Sequence, residues 1–132
     1  MKTIIFACVH NAGRSQMAAA FFNSTVDPSF ARAISAGTEP AENVHPEVIA
    51  AMKEVQIDLT GAHPQRLTAE LASGADLLIT MGCGENCPFV PGLRVEDWVI
   101  PDPKGQPPQR VCEIRDKLRQ RVAQLLERLA KS

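Results

Sequence analysis

Cys8 and Arg14 bracket the five residues Val9-His10-Asn11-Ala12-Gly13, and Ser15 follows directly. This segment stands behind the apolar run Thr3-Ile4-Ile5-Phe6-Ala7 and ahead of Gln16-Met17-Ala18-Ala19-Ala20-Phe21-Phe22. In that setting a loop can close at the carboxyl end of a strand, with the backbone N–H groups of Val9 to Ser15 turned inward. The helix that follows then aims its N-terminus at the same point. Amide donors, helix dipole and a fixed guanidinium fork converge on one tetrahedral oxyanion. The same field favours a thiolate at Cys8, and a thiolate is a nucleophile at neutral pH. Taken alone, Cys8 reads first as a small buried apolar residue ending a core strand. Context favours the site, because an arginine buried at a helix start without an anion is costly.

Three further cysteines need a reading: Cys83, Cys87 and Cys112. No secretory signal precedes them, so redox or metal chemistry is favoured over structural disulfides, and the cytoplasm is the expected location. Cys83 and Cys87 have no histidine nearby, which leaves metal binding as the weaker of the two. Cys112 sits beside the apolar stripe of the last helical segment and reads as structural. Asp102, between Pro101 and Pro103, suits a general acid or a plain turn residue.

These residues need a scaffold, and the chain is long enough for one. Its 132 residues, 45% hydrophobic and 22% charged, describe a single domain over residues 1–132. A net charge of −1 without a basic stripe argues against nucleic acid as a partner, and no apolar run is long enough to cross a bilayer. Strands are predicted at Lys2 to Ala7, Ala31 to Ala36, Ala75 to Met81 and Trp98 to Ile100. Helices are predicted from Ser15 to about Asn23, from Pro46 onward, at Leu67 to Leu71, and along Val111, Ile114, Leu118, Val122, Leu125 and Leu129. Such alternation implies an α/β fold, a single three-layer domain whose central parallel sheet of about four strands is flanked by helices. In such sheets ligands bind beyond the carboxyl ends of the strands, where Cys8, the Cys83–Cys87 segment and Asp102 could meet.

The chain resembles the arsenate reductases built on the low-molecular-weight protein tyrosine phosphatase fold. The resemblance spans nearly the whole sequence. It rests on Cys8 to Ser15 with Gln16-Met17-Ala18, on Ser35-Ala36-Gly37, and on Ala51-Met52-Lys53-Glu54-Val55 with Ile57-Asp58. It continues through Thr80-Met81-Gly82-Cys83-Gly84-Glu85-Asn86-Cys87-Pro88, Glu96-Asp97-Trp98 and Asp102-Pro103-Lys104-Gly105. It implies reduction of arsenate to arsenite, in arsenic detoxification, with Cys8 attacking arsenic. Arg14 and the amides of Val9 to Ser15 would hold the oxyanion, Ser15 would bond the Cys8 thiolate, and Asp102 would protonate the departing oxygen.

By the same resemblance, Cys83 would attack the Cys8 adduct and Cys87 would then take over the disulfide. No bound cofactor is implied, only an external thiol reductant. That reductant stays open between thioredoxin and a small-thiol system, since Met81-Gly82-Cys83-Gly84 is also similar to relatives that use a low-molecular-weight thiol such as mycothiol. Ala19 and Gln65 stand where some relatives carry acidic potassium ligands, so no metal site is expected. A monomer is expected, with residual phosphatase activity as a possible by-product. The rival reading is a low-molecular-weight protein tyrosine phosphatase. The chain has no tyrosine and one tryptophan, Trp98, which is little to grip a phosphotyrosine ring with.

Overall fold

The computed structural model describes residues 1–82 and 90–131. Four strands, β1 (Lys2–Cys8), β2 (Ala31–Gly37), β3 (Leu77–Thr80) and β4 (Arg94–Asp97), form one parallel sheet in the order β2-β1-β3-β4. From Thr3 to Cys8, β1 is buried throughout, as expected of a strand covered on both faces. Its neighbours lie on opposite sides, so the chain reverses direction across the sheet at the carboxyl end of β1. That reversal opens a crevice beyond Cys8.

Two layers of unequal thickness cover the sheet. The thicker holds α1 (Arg14–Thr25), α2 (Pro46–Lys53) and α4 (Pro108–Lys131), packed around Ile4, Phe6, Met17, Phe22, Met52 and Ile114. Phe6 meets the ring of Phe22 edge-on at 6.1 Å and that of Trp98 at 5.7 Å. The thinner layer holds α3 (Ala69–Ser73) and packs Leu67 and Ala72 against Ile5, Ala7 and Leu78. In α4 the stripe Val111, Ile114, Leu118, Val122 and Leu125 is buried as its spacing predicts. Asn23 ties α1 to β2 by bonding both the N–H and the carbonyl of Ala33, at 2.8 and 3.0 Å.

The last strand corrects the sequence reading. Trp98 to Ile100 was the expected strand, but the ladder runs over Arg94–Asp97. Trp98 and Ile100 are buried because they pack on the core, while β4 is a largely exposed edge strand with a polar sequence. Hydrophobicity therefore marked the packing and missed the pairing. Similarly, α3 starts two residues later than predicted, because the Thr68 side chain caps it by accepting from the Leu71 N–H at 3.0 Å.

Candidate active site

The loop after β1 turns its carbonyls outward, one by one. Those of Cys8, Val9, His10 and Ala12 accept from the backbone N–H groups of Thr38, Glu39, Ala41 and His45 at 3.3, 2.8, 2.9 and 2.9 Å. Asn11 O accepts from Gln16 Nε2 at 3.0 Å, and Gly13 O from Met17 N at 3.0 Å. Among the described residues, none of the N–H groups of Val9 to Gly13 donates to a protein acceptor outside regular structure. With the carbonyls facing away, these donors face the concave side. Asn11 makes the bend by adopting φ +52°, a left-handed angle that asparagine tolerates better than most residues. Such a turn gathers successive amides into an anion nest. Gly13 caps α1 without any side-chain bond, so the first turn keeps its donors for the same cavity.

Cys8 ends β1 beside Gly37 of β2 and is 3% exposed. Its Sγ lies 2.9 Å from Ser15 Oγ. The direction of that bond follows from the neighbours. Gln65 N–H donates to Asn11 Oδ1 at 2.9 Å, which fixes the Asn11 amide, so Asn11 Nδ2 donates to Ser15 Oγ at 2.7 Å. The Ser15 hydroxyl, already accepting, gives its own proton to Cys8. The sulfur thus accepts a hydrogen bond inside an amide nest.

Arg14 stands at the start of α1 with its side chain 13% exposed. Nη1 donates to Ile100 O at 3.1 Å, and Nη2 is 3.9 Å from Asp102 Oδ2. Asp102 is half exposed at the mouth, and its Oδ1 accepts from Lys104 N at 3.0 Å. The segment carrying it rests on the cradle: a Cβ at Gly13 would meet Pro103 Cγ at 3.0 Å. Glu47 Oε2, on α2, holds the far end through Gly105 N at 3.3 Å.

Cys8, Arg14, Ser15 and Asp102 are thus gathered at one edge of the sheet, with the backbone of Val9 to Gly13. The His10 ring turns outward and meets Glu39 O at 3.0 Å, so only its amide faces the cradle. Cys83 and Cys87 lie outside the described residues. Cys112 has other partners: it donates to Glu54 Oε2 at 3.2 Å, and burial, helped by Glu54, raises its pKa. Among the described residues, no group of acidic, histidine and cysteine side chains could hold a metal ion. No helix among them is long and apolar enough to cross a membrane.

Two contributors were missed from sequence. Gln16 is 5% exposed and its Nε2 bonds Asn11 O, Asn11 Oδ1 and His63 O at 3.0, 3.3 and 3.3 Å. A lone glutamine opening an otherwise apolar helix was the available signal. Gly37, the last residue of β2, permits close approach: a Cβ there would sit 2.6 Å from Val9 O.

Residues 3–132 match the family model described as low molecular weight phosphotyrosine protein phosphatase. The chain is 35% identical over 133 residues to the glutaredoxin arsenate reductase of Synechocystis sp., covering 98% of this chain and 100% of that one. It is 33% identical over 129 residues to arsenate reductase 2 of Staphylococcus saprophyticus, covering 96% and 97%. Among solved structures, it superposes on the thioredoxin-dependent arsenate reductase of Corynebacterium glutamicum with a TM-score of 0.84 and 34% identity. That match covers 98% of this chain but 62% of the solved one, so the chain spans less than two thirds of that protein's length.

Proposed function

The chain belongs to the low molecular weight phosphotyrosine protein phosphatase family, and from that premise we propose that it reduces arsenate to arsenite with Cys8 as the nucleophile. It is an oxidoreductase on a phosphatase scaffold, as its similarity to arsenate reductases indicates. The observation that carries the chemistry is the Ser15 hydroxyl donating to Cys8 Sγ at 2.9 Å inside a loop whose carbonyls all face away.

In this reading the Cys8 thiolate attacks arsenic while the loop amides and Arg14 hold the oxygens and the charge they gain. Asp102, near Arg14 at the mouth, gives its proton to the oxygen that leaves as water. The product of this step is a Cys8–arsenic(V) thioester. Cys83 then attacks Cys8 Sγ. A sulfur–sulfur bond forms, the sulfur–arsenic bond breaks, and its electron pair stays on arsenic, which departs as arsenite. Cys87 attacks Cys83 and frees the Cys8 thiolate, leaving a Cys83–Cys87 disulfide. An external dithiol of the thioredoxin or glutaredoxin type reduces that bond, in keeping with the named relatives. The proposed scheme calls on one chain, acting as a monomer. A reducing compartment such as the cytoplasm suits free thiols.

The phosphatase alternative needs a rim that grips an aromatic ring. Trp98 is only 2% exposed, held between Phe6 and Arg121, and the chain has no tyrosine. A small inorganic oxyanion fits better. The test is arsenate-dependent NADPH oxidation with a thioredoxin system and, separately, with a small-thiol system. Turnover is expected with the first. Phosphotyrosine hydrolysis without arsenate turnover in either would support the alternative instead.

A further inference from the structure

Gly82 follows β3 at φ +93° and faces Arg14. A Cβ built there would stand 2.9 Å from Arg14 Nη1, 3.3 Å from Nη2 and 3.4 Å from Cζ. The whole guanidinium, and not one atom of it, therefore lies against the bare backbone of residue 82. The fork is also bonded to Ile100 O at 3.1 Å and faced by Asp102 at 3.9 Å.

We propose that Gly82 is a positioning residue for the oxyanion fork: its missing side chain forms the flat seat that sets where the Arg14 guanidinium lies. This rests on the reading of Arg14 as the fork. A guanidinium is planar and delivers its donors in fixed directions, so bidentate binding depends on where the plane sits. Arg14 is tethered at α1 and bonded to Ile100 O. Any methyl group at 82 must be accommodated by moving the fork, since the fork is the flexible partner. The fold tolerates that shift and the oxyanion geometry does not. Cys83 follows Gly82 directly in the chain, so the seat also joins the fork to the segment proposed to resolve the adduct.

The variant Gly82→Ala adds backbone strain as well as the methyl group, and a second glycine separates the two. Gly92 has φ +83° with nothing within 4 Å of a built Cβ, so Gly92→Ala carries comparable strain without touching the fork. Inorganic phosphate is the probe, with its dissociation constant measured by calorimetry and thermal melting of each variant alongside. Gly82→Ala should weaken phosphate binding about tenfold or more, the loss of a bond to a charged group. Gly92→Ala should bind as the wild type does. In an Arg14→Lys background, adding Gly82→Ala should change phosphate affinity no further, because the planar fork is already gone. Wild-type affinity in Gly82→Ala, equal loss in Gly92→Ala, or independent multiplication of the Arg14 and Gly82 effects would each overturn the proposal. So would a wild-type chain that binds no phosphate. Failure of the wild type to turn over arsenate while these phosphate results hold would count against the reductase reading alone.

Discussion

Pro103 lies so close over Gly13 that a methyl group on Gly13 would stand 3.0 Å from its Cγ. This contact seats the Asp102 segment on the oxyanion loop, and it links the proposed proton donor to the proposed nucleophile's cradle. Gly13→Ala would crowd this contact. It should push Pro103 outward, carry Asp102 away from the mouth and lower the arsenate turnover number by about 10²-fold, the lower range for a lost general acid. Steady-state kinetics on the variant checks this, with phosphate affinity expected to change much less than turnover.

Ser15 accepts from Asn11 and donates to Cys8, so Ser15→Ala removes a bond to the nucleophile and strands an amide hydrogen of Asn11. A hydrogen bond to a charged group contributes about 1.5–3 kcal/mol, so the first chemical step should slow by roughly 10- to 150-fold. Rapid-quench measurement of the single-turnover rate is the check. An unchanged rate would mean that another group holds the sulfur.

A larger structural cost is expected at Gly37. A methyl group there would press on Val9 O at 2.6 Å and Asn11 N at 2.9 Å, both backbone atoms that cannot swing away. Gly37→Ala should destabilise the fold by about 2 kcal/mol or more through overpacking and also loosen the cradle. Chemical denaturation gives the first quantity and phosphate titration the second.

Acid sensitivity should appear at the edge of the sheet, where Glu96 of β4 meets Arg128 of α4 at 2.6 Å. Partial burial pushes the Glu96 carboxyl up, but the hydrogen bond and charge of Arg128, with Trp98 and Arg121, outweigh it and hold it below the ordinary value. A carboxyl depressed in the folded state stabilises the fold above its unfolded pKa and stops doing so as pH falls through the folded value. Glu96→Gln should therefore lower the melting temperature slightly at neutral pH, with the difference from wild type vanishing in acid. The side chain is 30% exposed, so the effect should stay under about 1 kcal/mol. Melting curves across pH decide it.

Much of this architecture was legible because the signals were local. The buried run of β1, the Cys8–Arg14 spacing and the stripe of α4 each declare themselves within a short window. His45-Pro46 marked the start of α2 correctly, since a proline at the first helical position reports on its own backbone. What stayed hidden depends on partners remote in sequence. The β4 edge is polar and pairs through its backbone, so hydrophobicity pointed instead to Trp98 and Ile100, which are buried just beyond the ladder. The seats at Gly37 and Gly82 are defined by Val9 and Arg14, and no pattern in a single sequence names those partners. Gln16 stood out as a lone glutamine in an apolar helix, but its partners Asn11 and His63 could not be read from that contrast.

The central claim is that this chain reduces arsenate with its own thiols, and one single-turnover measurement tests it most directly. Fully reduced protein, with its four thiols counted beforehand, is given one equivalent of arsenate in the absence of any external reductant. Arsenite, free thiols and disulfide-linked peptides are then quantified. The account predicts about one arsenite per chain, the loss of two thiols and a peptide joining Cys83 to Cys87. In Cys87→Ser the same experiment should trap Cys8 joined to Cys83, and in Cys8→Ser it should yield no arsenite. Wild-type protein that keeps all four thiols and releases no arsenite would contradict the account.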